Sequence, residues 1–372
     1  MIIGAARLSR AASSVSIMAG LSLFRQDVER DPLYCAIALQ SIQYRLSSRR
    51  CRQEEPSSRE AAVFTRRTLI GSTVAAIAAT VASARPALSQ GGGKRIIVDA
   101  QMHLWKAESE DWKWIPGMKP QLPEPFTIER ALAMIDEGGI DRAVIVPPSW
   151  PGDRNDYGLE AARRFPGRFG VMGRIPLQNP QSATLLPKWR EQPGMLGVRL
   201  SFTDATLAWL TDGTADWFWP AAEKAEVPVM FLAPGQVAMF SRIAERHPHL
   251  TLIIDHMGLN SSSRTNRSTD IPLAIDQTVA LAKYPNVSVK LSGALGNSVE
   301  SYPFRDTTVY VQRIFDAYGP ERCHWGTDMT NSFNRASPRQ RVTHFTEELP
   351  FLSESDKDWI MGRAILSRLK WA

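Results

Sequence analysis

Residues 96–105 read IIVDAQMHLW, an apolar run in which Gln101 and His103 lie two positions apart. Short β-branched runs of this kind recur along the chain, and segments with helical spacing of apolar residues lie between them. The predicted strands are Arg95–Ala100, Ala143–Pro147, Phe169–Ile175, Met195–Ser201, Val227–Leu232, Leu250–Asp255, Val287–Leu291 and Cys323–Gly326. The predicted helices are Ile128–Glu137, Asp156–Phe165, Gln181–Arg190, Trp217–Ala225, Ala238–Arg246, Pro272–Lys283, Val309–Tyr318, Arg339–Glu348 and Asp356–Leu369. Such alternation predicts parallel strands joined by right-handed crossover helices.

Two architectures share this alternation, the open doubly wound sheet and the closed (β/α)₈ barrel. The strands number eight, and no glycine-rich G-x-G-x-x-G turn follows the first of them. Both observations favour a single-domain α/β protein, a (β/α)₈ TIM barrel over residues 91–372.

The first 90 residues differ from the rest in charge. They hold 12 of the 44 Lys and Arg residues and 6 of the 38 Asp and Glu residues, which leaves 32 of each sign in residues 91–372. The basic balance of the whole chain therefore belongs to the leader, and the barrel offers no basis for nucleic-acid binding. Only Cys323 remains in the barrel, so no internal disulfide can stabilise it.

An export signal is predicted over residues 63–90. Thr65-Arg66-Arg67-Thr68-Leu69-Ile70 is a twin-arginine pattern, an alanine-rich run follows, and Ala82-Ser83-Ala84 forms a cleavage site. The apolar run is shorter than the about 20 residues that a membrane span needs. We therefore expect a periplasmic or extracellular protein with no stable membrane insertion after cleavage. A membrane anchor or an ordinary N-terminal helix is the alternative.

The stretch before this signal, residues 1–62, is rich in Arg and Ser and has no sustained period. We expect it to be a disordered leader. Because signals normally start near the true N-terminus, we hypothesise that translation begins at Val63. An unprocessed precursor that starts at Met1 would contradict this.

Catalytic groups of such barrels sit at the carboxyl ends of the strands. His103, His256 and Asp328 follow the first, sixth and eighth predicted strands, and Arg174 and Arg199 lie near the ends of the third and fourth. Two imidazoles, a carboxylate and two guanidiniums at one mouth indicate a catalytic site for a small molecule. Further candidates for substrate contact are Gln101, Trp105, Asn155 and Tyr157. His344, on the last barrel helix, is expected to face solvent.

These strand ends resemble the amidohydrolase superfamily, in its amidohydrolase-related group that contains 2-pyrone-4,6-dicarboxylate lactonase-like proteins. The matching motifs are Val98-Asp99-Ala100-Gln101-Met102-His103-Leu104-Trp105, Gly197-Val198-Arg199-Leu200, Ile254-Asp255-His256-Met257-Gly258 and Trp325-Gly326-Thr327-Asp328. The resemblance implies that His103 matches the second histidine of the first strand. It also implies that His256 matches the sixth-strand histidine and Asp328 the eighth-strand aspartate.

Half of the superfamily's metal ligands are absent from this chain. Gln101 replaces the first histidine, Arg199 replaces the bridging Lys or Glu, and Val227–Leu232 holds no histidine. A guanidinium repels a cation by about 4 kcal/mol per unit charge at about 4 Å and an effective dielectric near 20. We therefore expect no metal cofactor. The alternative is one zinc or manganese ion held by His103, His256 and Asp328.

The resemblance implies a hydrolase that acts on a small carboxylated lactone or ester. Asp328 would act as general base on water, His103 and His256 would polarise the carbonyl, and Arg199, with Arg174, would bind the substrate carboxylate. Two alternatives stay open, a metal-dependent decarboxylase of the same superfamily and a barrel that binds an acid without catalysis. The sequence does not fix the oligomeric state.

Overall fold

A computed structural model describes residues 94–260 and 270–372 of the chain. The leader predicted over residues 1–62 and the export signal predicted over residues 63–90 both lie outside these residues, so both stay predictions. Among the described residues, no helix combines the length and apolar character that crossing a membrane requires.

Eight parallel strands form one sheet in sequential order. They are β1 Val98–Met102, β2 Arg142–Ile145, β3 Phe169–Gly173, β4 Met195–Ser201, β5 Val229–Leu232, β6 Leu252–Ile254, β7 Val287–Lys290 and β8 Cys323–His324. The backbone N–H of Ala100 donates to the carbonyl of Trp325 (3.1 Å), and that of Asp328 donates to the carbonyl of Gln101 (3.0 Å). These bonds join the first strand to the chain after the eighth, which confirms the predicted barrel as a nearly closed one.

Helices cover the outside of the sheet. They are α1 Ile128–Gly138, α2 Asp156–Arg164, α3 Phe218–Lys224, α4 Ser241–Arg246, α5 Ile271–Ala280, α6 Ala294–Asn297, α7 Thr308–Tyr318, α8 Pro338–Thr346, α9 Glu354–Asp358 and α10 Ala364–Leu369. The helix α1 shows why they form: the Thr127 side chain caps its first turn, Gly139 ends it at φ 69°, and Ile128, Ala131 and Ile135 bury one face.

Two sequence predictions about the helical layer are wrong. Residues predicted as the helix Gln181–Arg190 form a 3₁₀ segment, Pro180–Glu191, because Pro187 lacks the N–H and crowds the preceding turn of an α-helix. His344 is fully buried in α8, with its ring edge-on to Phe304 and Phe345.

The hydrophobic core has two parts. A large outer cluster lies between strands and helices, and a smaller one fills the barrel interior. The inner cluster consists of Val98, Ala100, Val144, Val146, Met172, Leu196, Met230 and Ile253, with Ile365 and Leu369 of α10 closing its base.

A register shift in β1 decides which side chains enter the mouth of the barrel. Asp99 pairs with Ala143, but Met102 pairs with Ile145, so β1 carries one extra residue. Such a bulge reverses the alternation of the strand. Val98 and Ala100 therefore join the inner cluster, whereas Met102 joins the outer one, and Gln101 and His103 turn inward.

Candidate active site

A cavity of about 430 Å³ opens at the carboxyl ends of the strands. Its polar lining includes His103, Arg174, Arg199 and Asn331. Its apolar lining includes Ile115, Met118, Trp150, Leu177 and Trp209. A concave site with an apolar wall and a few converging polar groups is typical of small-molecule binding.

His103 lies just after β1 and reaches the cavity. Its Nδ1 lies 2.7 Å from the Val146 carbonyl, and its Nε2 lies 3.3 Å from Oδ1 of Asp328. Because a carbonyl can only accept, Nδ1 carries a hydrogen. The second nitrogen is therefore the one that can exchange a proton with Asp328.

Asp328 follows β8 in a left-handed backbone conformation, at φ 44°. Its carboxylate is buried behind His103, and the amide of Asn331 donates to it, with Nδ2 at 3.0 Å from both oxygens. Burial would raise the pKa of Asp328, but His256 and His103 outweigh it and hold this pKa below its usual range. The carboxylate is therefore ionised at neutral pH, as a general base must be.

His256 follows β6 in a strained turn, where His256 and Met257 have φ of 53° and 58°. Gly293 makes room for it, since a Cβ there would meet the Cβ of His256 at 2.8 Å. Its Nδ1 lies 2.9 Å from Oγ of Ser292 and 3.9 Å from Oδ2 of Asp328. Burial lowers the pKa of His256 to about 4, so this imidazole is neutral at pH 7.

A buried ion cluster lies beside these three residues. Asp255 accepts from Nε of Arg199 at 3.0 Å and pairs with Nζ of Lys290 at 2.6 Å. Burial would raise the pKa of Asp255, but the two cations outweigh it and hold this pKa far below its usual range. Sequence reasoning gave Asp255 and Lys290 no role, although a charged residue at the end of an apolar strand is the signal that marks both.

Gln101 is fully buried and contacts this cluster rather than the cavity. Its Oε1 accepts from the Lys290 ammonium, and its Nε2 lies 3.2 Å from Nε2 of His103. The structure therefore places Gln101 behind His103, with no surface on the cavity.

Arg174 lies at the end of β3 and lines the cavity with Arg199. Its Nε donates to Asp153 at 3.2 Å, while its buried Nη1 has no hydrogen-bond partner among the described residues. Burial lowers the pKa of Arg174, and the nearby Arg199 guanidinium lowers it further. The two cations thus lie close together on one wall, where they suit an anionic group.

Three sequence candidates support the wall from outside the cavity. Asn155 holds the backbone of Arg174 through bonds of 2.7 and 2.9 Å. The Tyr157 hydroxyl accepts from the N–H of Ile128, and Trp105 is buried against Trp150 at 5.2 Å between ring centroids. None of these three residues lines the cavity, where substrate contacts had been predicted for them.

The donor set does not fit the metal ion that the superfamily implies. Within residues 94–260 and 270–372, no group of three His, Cys, Asp or Glu side chains is placed to hold an ion. Nε2 of His103 already has Gln101 at 3.2 Å and Asp328 at 3.3 Å. The amide of Asn331 already donates to the Asp328 carboxylate and lies 3.0 Å from both of its oxygens. The buried cations Lys290 and Arg199 share the single carboxylate of Asp255, so a metal ion would add positive charge beside them.

Comparisons with known proteins place these residues in context. The amidohydrolase family model matches residues 98–365. The chain is 24% identical over 236 residues to an L-fucono-1,5-lactonase from Burkholderia ambifaria, covering 62% of this chain and 79% of that protein. It is 28% identical over 241 residues to a 4-sulfomuconolactone hydrolase from Hydrogenophaga intermedia, covering 60% and 69%.

Solved structures share the barrel at low sequence identity. An amidohydrolase from Burkholderia multivorans with bound zinc has a TM-score of 0.62 and 19% identity, covering 74% of this chain and 99% of that chain. A probable 2-pyrone-4,6-dicarboxylic acid hydrolase from Acinetobacter baumannii, with citric acid bound, has a TM-score of 0.60 and 18% identity at the same coverage. At such identities the likeness shows the fold.

Proposed function

Because this chain belongs to the amidohydrolase family and is a hydrolase, we propose that it hydrolyses a small carboxylated lactone or ester. The lactone-hydrolysing relatives support this reaction type. The observation that carries the proposal is the contact between His103 and Asp328, 3.3 Å, at the edge of a cavity that also holds two guanidiniums.

The substrate carboxylate binds to Arg199 and Arg174. Nε and Nη1 of Arg199 are engaged by Asp255 and Ser201, which fixes the plane of the guanidinium and leaves Nη2 for a ligand. Arg174 supplies its buried Nη1. Guanidiniums bind carboxylates through paired, charge-assisted hydrogen bonds, so they orient the ring as well as attract it.

Asp328 activates the attacking water. Its Oδ1 lies 3.3 Å from Nε2 of His103 and accepts a hydrogen from the water. His103 has no hydrogen left to donate to the substrate, because its Nδ1 hydrogen is committed to Val146. This differs from the donor role that sequence analysis gave His103. Neutral His256 does not line the cavity. Its Nδ1 lies 2.9 Å from Oγ of Ser292 and 3.9 Å from Oδ2 of Asp328, so it supports the base rather than contacting the substrate.

Asp328 takes up and returns the one proton that moves during the reaction. The water oxygen bonds to the carbonyl carbon while its proton passes to Asp328, and the carbonyl electrons move onto an oxyanion that Arg199 stabilises from the cavity wall. Collapse of this intermediate breaks the ring C–O bond, and the proton on Asp328 passes to the leaving oxygen. The product is an open hydroxy acid with one more carboxyl group than the substrate.

The reaction as written uses no metal ion. The related barrel with bound zinc shows that this fold can hold one, but the donor set around Asp328 does not fit an ion. We therefore propose that the isolated protein works without stoichiometric metal. We also propose that it works outside the cytoplasmic membrane, as the twin-arginine pattern predicts, and N-terminal sequencing of the mature protein would test this.

A substrate panel tests the function directly. Lactones and esters, each with and without a carboxylate, are assayed by acid release, and metal content is measured on the same sample. We expect hydrolysis of carboxylated lactones by protein with far less than one metal ion per chain. No hydrolysis across the panel, or carbon dioxide release from an aromatic acid, would overturn the proposed reaction. One tight zinc or manganese ion whose removal abolishes activity would overturn the metal-free part alone.

A further inference from the structure

Lys290 is an ammonium group enclosed inside the barrel. It is fully buried at the end of β7, with Nζ 2.6 Å from Oδ1 of Asp255, 3.2 Å from Sδ of Met230, and in contact with Oε1 of Gln101. It does not line the cavity. A buried cation that touches no substrate needs a reason beyond stability, because burying a charge is costly even when it is paired.

The contact with Lys290 fixes the orientation of the Gln101 amide. An ammonium can only donate, so the amide atom that it touches must be the oxygen. The NH₂ end of Gln101 then points toward Nε2 of His103, 3.2 Å away. An amide that lacked this cation could turn over at little cost and present its oxygen to the same ring nitrogen.

The Gln101 amide in turn fixes the hydrogen of His103. Nδ1 donates to the carbonyl of Val146 at 2.7 Å, so it carries one ring hydrogen. Since the Gln101 NH₂ donates to Nε2, this second nitrogen keeps its lone pair. Asp328, at 3.3 Å, acts in the opposite direction, because a carboxylate favours a proton on Nε2.

We propose that Lys290 is a positioning residue that, through Gln101, holds His103 as the neutral tautomer with a bare Nε2. Without it, Gln101 turns, Nε2 takes a proton, and His103 and Asp328 form an internal ion pair in which the base is neutralised before water arrives. The consequence for catalysis rests on the proposed function, whereas the tautomer itself does not.

The test measures the tautomer by ¹⁵N NMR of histidine-labelled protein near pH 7, since protonated and bare ring nitrogens give well separated signals. In the wild type we expect a bare Nε2 on His103. Lys290→Met should place a proton there. Gln101→Leu should do the same while leaving the Lys290–Asp255 pair intact, so it also serves if Lys290→Met does not fold.

Two further variants separate positioning from charge alone. Arg199→Met removes a cation bound to the same Asp255 but not touching Gln101, and it should leave the wild-type pattern. The double variant Lys290→Met/Gln101→Leu should look like Gln101→Leu, because both changes act on one contact chain. A protonated Nε2 in the wild type, an unchanged signal in Lys290→Met, or the same change in Arg199→Met would overturn the proposal.

Kinetics supply the second readout. The wrong tautomer of a catalytic histidine can cost up to about 10⁴-fold in kcat, and we expect Lys290→Met to lower kcat at least about tenfold with little change in KM. If no panel substrate is hydrolysed, the NMR result still decides the role of Lys290. If lactones are hydrolysed and the NMR pattern does not change, only the role of Lys290 fails.

Discussion

Asp255→Asn should destabilise the barrel strongly, because one carboxylate balances two buried cations. Arg199 and Lys290 lie 3.0 and 2.6 Å from its oxygens, and none of the three side chains is more than 7% exposed. The amide keeps the volume but removes the charge, which leaves both cations without a counterion. Breaking a buried pair from one side costs about 3–5 kcal/mol.

The size of this loss translates into a large shift in melting temperature. For a domain of this size, about 1 kcal/mol corresponds to about 2–3 °C, so Asp255→Asn should lower Tm by about 6–15 °C. Loss of a proton from Lys290, whose pKa burial already lowers, would put the result near the smaller value. Calorimetry and urea unfolding at pH 7 measure the change.

The stability that Asp255→Asn removes should depend on pH, in a direction set by the pKa of Asp255. The pKa of Asp255 is depressed in the folded protein, so its contribution is complete above its unfolded value near 4 and is lost as the pH falls below that. The gap between wild type and variant should therefore narrow as the pH falls below about 4. It should also narrow toward higher pH if Lys290 of the variant loses its proton there.

A matched exposed pair supplies the control. Asp276 pairs with Arg313 on the surface and is 58% exposed, so Asp276→Asn should cost less than about 1 kcal/mol. If Asp255→Asn lowered Tm by less than about 2 °C, or by no more than this control, the ion cluster would not carry the stability assigned to it.

Three further outcomes follow from the site and the core. Asp328→Asn should lower kcat by about 10²–10⁴-fold at an unchanged fold, and activity within tenfold of wild type would remove Asp328 as the base. Arg174→Met should lower kcat/KM on carboxylated lactones by about 10–150-fold, from about 1.5–3 kcal/mol for a charged hydrogen bond, and should spare uncharged esters; equal losses on both would contradict carboxylate binding. Burial lowers the pKa of His344 to about 4, so stability is complete above its unfolded value near 6.5 and falls between pH 6.5 and 4, by about 3 kcal/mol at most. His344→Leu should flatten that part of the urea-unfolding profile, and an unchanged profile would show that another group causes the acid loss.

The sequence determined the eight strands and their order. Met195–Ser201 was predicted to the residue, and the other strands within a few positions, because apolar β-branched runs bounded by turn residues are a local signal. It also predicted that His103, His256, Asp328, Arg174 and Arg199 would meet at one mouth. The structure places His103, Arg174 and Arg199 on one cavity. Asp328 lies buried behind them, 3.3 Å from His103, with His256 beside it. That prediction follows from parallel strands, whose carboxyl ends must meet.

Only the tertiary structure decided what those residues contact. The β1 bulge turns Gln101 and His103 inward, and it depends on pairing with a neighbouring strand. His344 is buried, and Trp105 and Tyr157 pack behind the cavity wall. These placements too depend on neighbours distant in the chain. The same holds for the joining of Asp255, Lys290 and Gln101. Strand alternation tells which residues can face inward, but a hydrogen bond needs atoms placed within about 3 Å, and that placement arises only when all eight strands close around one core.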